Sequence, residues 1–389
     1  MSRGRASHLP AARGYRRCAI PLVSLILASA AFAPAAGAAS VRDLPGLSGR
    51  SVQVVTAAPS PDGEVTVVAN VRTGGASSER IRVVRLRADG APQIGFGRWG
   101  VAGLSGRARA LGAVTNPSTG RVYVAAISAG RPVLFALGDD GRPDPEFGSA
   151  GRLRVEGQAS PGSFRLAAVP SYLFLTLGSG SCAGCTVREL SLPSGQLVTS
   201  STLSRDQVAG RAGCAQARIG DLGVLAGRLV LAAEACGHLL VDIPQPHRSD
   251  GTTLRGSRFP LASGSRQAAL RTDTGQDRAC LAVRESGGTR LSGAGYAGLS
   301  ALAGSGSRSQ LDSAVRDVVA FGSAGCAALA SLTRPASILV STRPGSLRLR
   351  RVSGLTRADA LAAPGGGLLV LGVKRSGGRE QARLAVVSR

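Results

Sequence analysis

Cysteines are the residues in this chain whose chemistry depends most on spacing. Cys182, Cys185, Cys214, Cys236, Cys280 and Cys326 all follow the amino-terminal region, an even number that suits disulfide bonding in an oxidising compartment. The preferred pairing is Cys182–Cys185, Cys214–Cys236 and Cys280–Cys326, provided that folding brings each pair of Cα atoms within about 7 Å. Cys280 and Cys326 hold matching second-strand positions in adjacent units. Cys182-Ala-Gly-Cys185 also has the form of a thiol–disulfide exchange motif. That chemistry usually needs a helix amino terminus to lower a thiol pKa, and this motif lies in a Gly/Ser-rich stretch, so a loop-closing disulfide is expected. No second Cys-x-x-Cys exists and the histidine spacing does not suit zinc.

Other chemistry-bearing residues are sparse. Beyond the amino-terminal region only His238 and His247 could serve as an imidazole base. Gly178-Ser-Gly-Ser-Cys182 is a broken version of a nucleophile elbow. Asp139, Asp140, Asp144 and Glu146 gather four acids, oxygen ligands that a hard cation could use, but their spacing is not that of an EF-hand loop. No catalytic residue, metal ligand or cofactor site is assigned from the sequence.

The elements that must position these residues come from a repeat. One segment runs from Arg82 through Asp89-Gly90, Gln93, Phe96-Gly97 and Gly100. Another, 51 positions later, runs from Val133 through Asp140-Gly141, Asp144, Phe147-Gly148 and Gly151. Asp89, Gly90, Phe96 and Gly97 map on Asp140, Gly141, Phe147 and Gly148. These residues resemble the delta-60 repeat, a bacterial β-propeller repeat built from an apolar strand, Asp-Gly, Asp, Phe-Gly and a closing Gly. The second copy matches throughout; the first carries Gln93 at the middle acid. The resemblance implies a fold and no common chemistry, with Asp140 and Asp144 as turn formers.

A period near 50 in a β-rich chain predicts propeller blades. Seven units, each an apolar strand, a turn and a second apolar strand, contain Ala58, Val114, Ala167, Leu222, Ala269, Val318 and Leu361 as equivalents. The expected fold is therefore all-β, a propeller of seven four-stranded blades spanning 41–389, with six or eight blades or a two-domain β protein as rivals. Strand 51–55 is expected to join the carboxy-terminal blade and close the ring, protecting sheet edges. The Gly- and Ser-rich stretches 284–295 and 303–310 read as loops.

Residues 1–38 read as a secretory signal. Arg3, Arg5, Arg13, Arg16 and Arg17 precede an apolar run, Ala19 to Phe32, and Ala36-Gly37-Ala38 offers small residues for cleavage before Ala39. The run is shorter than a membrane span needs, and no later stretch is apolar enough. The formal net charge is +24, carried by scattered arginines and one lysine, Lys374. Such a surface can attract anionic polymers, though no nucleic-acid recognition motif is present. Aromatics make up 3% of the chain and largely occupy packing positions, leaving few rings to stack on ligands.

These readings together predict an exported, non-enzymatic, monomeric binding or scaffold module in the cell envelope or medium, its partner a protein or an anionic envelope polymer. The alternative is a secreted propeller enzyme, a hydrolase, lyase or quinoprotein-like oxidoreductase with an axial site. Carboxylates converging with a histidine in a deep axial pocket favour the enzyme; an axial mouth lined by small side chains favours the module.

Overall fold

A computed structural model describes residues 40–387 except 61, 75–78, 105, 161–162, 179–184, 204–216, 226–227, 236–237, 243–255, 261–266, 274–277, 286–287, 296–306, 310–314, 322–324, 331–336, 342–346 and 365–366. The signal sequence and its cleavage site lie outside the described residues. All described residues belong to one unit, Ala38–Arg389, and none forms an α-helix.

The described strands form seven four-stranded antiparallel sheets. In chain order, the first strands of sheets 1 to 7 are Ser51–Pro59, Ala108–Thr115, Leu166–Val169, Ala217–Leu225, Gln267–Asp273, Val315–Phe321 and Arg357–Ala362. Each of the seven sequence equivalents falls in a different one of these strands. In sheets 1 to 6 the next three strands follow in order along the chain. Sheet 7 takes Leu368–Ser376 and Arg379–Val387, and its fourth strand is Val41–Gly49 from the other end of the chain. The first strands neighbour one another in chain order, and that of sheet 7 returns to that of sheet 1.

The joining strand differs from the expectation. Val41–Gly49 pairs with Arg379–Val387, Val41 opposite Ala385 and Gly49 opposite Glu380, whereas 51–55 opens the first strand of sheet 1. The sequence masks this strand because Pro45-Gly46 interrupts its alternation. A register shift between Asp43 and Ser48 absorbs the interruption and lets both Leu44 and Leu47 be buried. Composition also misleads at 284–295, where Gly288–Gly295 is the third strand of sheet 5, and at 303–310, where Ser307–Ser309 is the fourth. Pairing with an apolar neighbour supplies the ladder bonds that Gly and Ser propensities oppose.

Each core cluster among the described residues lies between two successive sheets. Val68, Ile81, Val83 and Phe96 of sheet 1 pack with Val124, Val133 and Phe135 of sheet 2. Tyr123, Leu134 and Phe147 of sheet 2 pack with Phe164, Leu173 and Leu175 in and beside sheet 3. Similar clusters join sheets 6 and 7, and sheets 7 and 1. A sheet covered on both faces needs unbroken apolar strands, and Val65–Arg72 is buried at every position but the last. Burying each Val or Leu side chain contributes about 1.5–3 kcal/mol.

Candidate functional site

The repeat motifs turn out to be joints between sheets. Asp89 and Asp140 each accept the amide hydrogen two residues on, from Ala91 and Arg142, both at 2.9 Å. The following Gly90 and Gly141 have φ of 79° and 77°, the left-handed conformation these turns require. Phe96 and Phe147 are fully buried. The Gly97 amide donates to the Asp140 carbonyl at 2.6 Å, and the Gly148 amide donates to the Ser194 carbonyl at 3.0 Å, so each motif grips the turn of the next sheet. The buried carboxylate of Asp144 faces Arg121 at 3.1 Å, while Gln93, its counterpart, donates to Glu64 at 2.8 Å. The two pairs occupy equivalent positions, but the acid changes sides: Glu64 faces a neutral amide in one, and Asp144 faces a cation in the other. Arg121 also holds Glu146 at 2.8 Å. Thus Asp140, Asp144 and Glu146 spend their oxygens on turn and ion-pair geometry. Among the described residues no three His, Cys, Asp or Glu side chains converge as metal ligands do.

Of the cysteines, Cys280 and Cys326 are joined by a disulfide with Cα atoms 5.6 Å apart. The bond ties the second strand of sheet 5 to that of sheet 6. Cys182, Cys214 and Cys236 lie outside the described residues, and Cys185 begins the third strand of sheet 3. His238 begins the third strand of sheet 4, and His247 is outside the described residues.

The first strands of all seven sheets line a cavity of about 280 Å³. Five of these strands carry a register shift at a corresponding place, between Val54 and Thr56, Ala110 and Gly112, Ile219 and Asp221, Val315 and Asp317, and Ala358 and Ala360. A bulge adds one residue and re-aims its neighbours. In sheets 1 and 2 the cavity wall there is Val55 and Leu111, but Asp221, Asp317 and Asp359 line it from sheets 4, 6 and 7, with Arg165 and Arg271 from beside sheet 3 and from sheet 5. None of these five charges belongs to a sequence motif. Their signal is an acid directly before the equivalent apolar residue, as in Asp221-Leu222 and Asp317-Val318, inside strands otherwise built of small apolar side chains.

Most of these charges are committed. Arg271 donates to Asp317 at 3.1 Å, to the Leu361 carbonyl at 3.0 Å and to the Ala57 carbonyl, so one side chain of sheet 5 reaches sheets 6, 7 and 1. Asp317 also accepts the amides of Val318 and Leu361 at 2.9 and 2.8 Å. Arg357 holds Asp359 at 2.6 and 3.0 Å and donates to the Val52 carbonyl at 2.7 Å, and Glu380 accepts the Val52 amide at 2.8 Å. The hydrogen bond to Asp359 raises Arg357 above its ordinary pKa. Asp221 differs. Burial pushes its carboxyl up to about 7, against the pull of Arg165 and Arg271 and of the Leu222 amide, while Asp317 adds to the rise. No histidine lines the cavity among the described residues.

No family model matches the chain, and no curated protein matches it. Solved structures resemble it in fold. Virginiamycin B lyase from Staphylococcus aureus is 8% identical at a TM-score of 0.53, over 90% of this chain and 99% of that one. The Dos1 propeller is 7% identical at 0.53, over 90% and 85%. The β-propeller domain of the Trilobed protease from Pyrococcus furiosus is 8% identical at 0.51, over 87% and 94%. At such identities the likeness shows fold alone: the chain is an all-β protein of the β-propeller class.

Proposed function

We propose that this chain is an exported seven-bladed β-propeller, each sheet a four-stranded blade, acting as a monomeric, non-enzymatic binding or scaffold module of the cell envelope or medium. The leader-like amino terminus and the Cys280–Cys326 disulfide support export. The pairing of Val41–Gly49 with the last sheet supports ring closure by the amino-terminal strand. The observation that carries the module reading is the engagement of the axial charges: Arg271, Asp317, Arg357 and Asp359 bond each other and the backbones of neighbouring first strands. They act as ties that hold the hub, and a group so used is poorly placed to turn over a substrate. The test is affinity capture by the purified mature chain from envelope extracts, alongside hydrolase, lyase and dye-linked oxidase assays. A saturable partner without turnover supports the reading. Turnover abolished by Asp221→Asn overturns it.

One observation favours the second reading, a propeller enzyme with an axial site. A carboxyl that titrates near 7 inside a cavity, as Asp221 does, is suited to general acid–base work at neutral pH. The same assay panel decides between the two.

A further inference from the structure

Charge is divided unevenly between the two ends of the sheets. Because every sheet is antiparallel, its first strand begins at one end, here the entry end, and finishes at the other, the exit end. Second-to-third-strand hairpins lie at the entry end; the Asp-Gly and Phe-Gly motif loops lie at the exit end. Neighbouring sheets share this polarity. The entry ends of sheets 1 and 2 are joined by Asn70, which donates to the Ala110 carbonyl at 3.0 Å and accepts the Ala110 amide at 2.8 Å. Arg357 and Val52 join the entry ends of sheets 7 and 1. The exit ends of sheets 1 and 2 are joined by Gly97 and Asp140.

The exit end of sheets 7, 1 and 2 is close to balance. Arg87 faces Asp89 at 3.8 Å, Arg142 faces Asp140 at 3.5 Å, and Arg121 faces Asp144 and Glu146, which leaves Arg42 and Arg98 exposed without an ion pair among the described residues. The entry end carries more unpaired charge. The hairpins of three successive sheets carry exposed cations: Arg375 and Arg379 in sheet 7, Arg72 and Arg80 in sheet 1, and Arg131 in sheet 2. Arg50 adds a sixth, its amide bonded to the Arg72 carbonyl at 2.7 Å. Among the described residues none of these six takes part in an ion pair. Charges left unpaired on one side of a basic protein create a directional field that attracts anions.

We propose that the entry end of sheets 7, 1 and 2 is a docking surface for a linear polyanion carrying phosphodiester or carboxylate groups, such as an acidic envelope glycopolymer. The assignment deepens the binding-module reading and rests on it. Guanidinium forks match phosphate and carboxylate oxygens two at a time, and hairpins repeated from sheet to sheet offer them in a row. The surface does not suit a bilayer or bases. The exposed large apolar residues among those described are Ile94 and Trp99 on an exit-end loop, Leu197 and Val198 at the exit-end start of a strand, and Leu349. Among the described residues the entry end of these three sheets thus shows neither an apolar wedge to enter lipid nor a ring on which a base could stack.

The experiment uses the full mature chain and two soluble probes, polyphosphate and polyglucuronate. Anionic lipid vesicles and single-stranded DNA are the comparators. The entry variant carries Arg72→Glu, Arg80→Glu, Arg131→Glu and Arg375→Glu. The control carries Arg42→Glu, Arg87→Glu, Arg98→Glu and Arg142→Glu, which changes the net charge equally at the exit end. Circular dichroism melts establish that both fold. The entry variant is expected to lose at least about tenfold in affinity for one probe, with a shallower salt slope, and the control clearly less. Equal loss in both variants, or loss in neither, overturns the docking surface. Vesicles or DNA that bind more tightly than both probes, with the same sensitivity to the entry variant, overturn the choice of polymer. Preference between the probes separates phosphate from carboxylate recognition. If neither probe binds while capture from envelope extract persists, the inference fails and the module reading stands; turnover in the enzyme assays removes that reading itself.

Discussion

Arg271 and Asp317 meet at 3.1 Å where the seven first strands converge, although they belong to different sheets. Each is about four-fifths covered, and each also bonds backbone groups of other sheets. The pair works as a keystone: apart from the adjacent Val318 amide, its partners lie 44 to 214 residues away, so these bonds close long loops. Loop closure of this kind costs chain entropy that only the assembled hub returns.

Removing one member of the pair should therefore cost more than removing both. Arg271→Met leaves the Asp317 carboxylate partly buried without its cation, and a loss of about 3 kcal/mol is expected. Adding Asp317→Asn should recover part of that loss. Urea unfolding of the single and double variants measures the difference.

Asp221 sets a pH dependence. Its pKa rises on folding from an ordinary 3.8 to about 7. Between those values the folded protein keeps a proton that the unfolded chain has released, so this group's contribution is greatest near pH 4 and lost as pH rises toward 7. Asp221→Asn cannot ionise. Its stability relative to the parent chain should be higher at pH 8 than at pH 4, and denaturant titrations at both values check this. An equal difference at the two pH values would contradict the assignment.

Gly141 tests the joint between sheets 1 and 2. A Cβ there would lie 2.7 Å from the Gly97 amide nitrogen, at a φ of +77°. Gly378 has a similar φ, +74°, but open space around it. Gly378→Ala should cost about 1 kcal/mol of backbone strain, and Gly141→Ala at least about 2 kcal/mol, because backbone must also move. Thermal melts of the two variants give the comparison.

The Cys280–Cys326 bond closes 46 residues. A crosslink of that span stabilises by roughly 2–4 kcal/mol, chiefly by restricting the unfolded chain. Cys280→Ala with Cys326→Ala should lower the unfolding midpoint accordingly. Mass-spectrometric thiol counting on the parent chain should find both residues oxidised.

Local chemistry was legible in the chain and distant chemistry was not. Asp140-Gly141 announces its turn because the side-chain bond to Arg142 and the positive φ involve only adjacent residues. The pairing of Cys280 with Cys326 is legible because the repeat puts them at matching positions in successive sheets, where their Cα atoms lie 5.6 Å apart. Val41–Gly49 was missed because a bulge at Pro45-Gly46 hides its period, and its partner strand lies at the far end of the chain. The exchange of Glu64 and Gln93 for Arg121 and Asp144 shows only when two turns are seen side by side.

The repeating unit can be read from the chain alone: an apolar strand buried on both faces, a turn with its glycine, and a spacing that repeats. Those properties follow from side-chain size and backbone dihedrals within a few residues. That Asp221, Arg271, Asp317 and Asp359 share one cavity, and that cations gather unpaired at one end of three sheets, depends on how the sheets are assembled. Neither arrangement follows from any local preference. Both arise because the first strands are held around a common hub, which brings residues from different sheets into each other's field and leaves others facing the solvent alone.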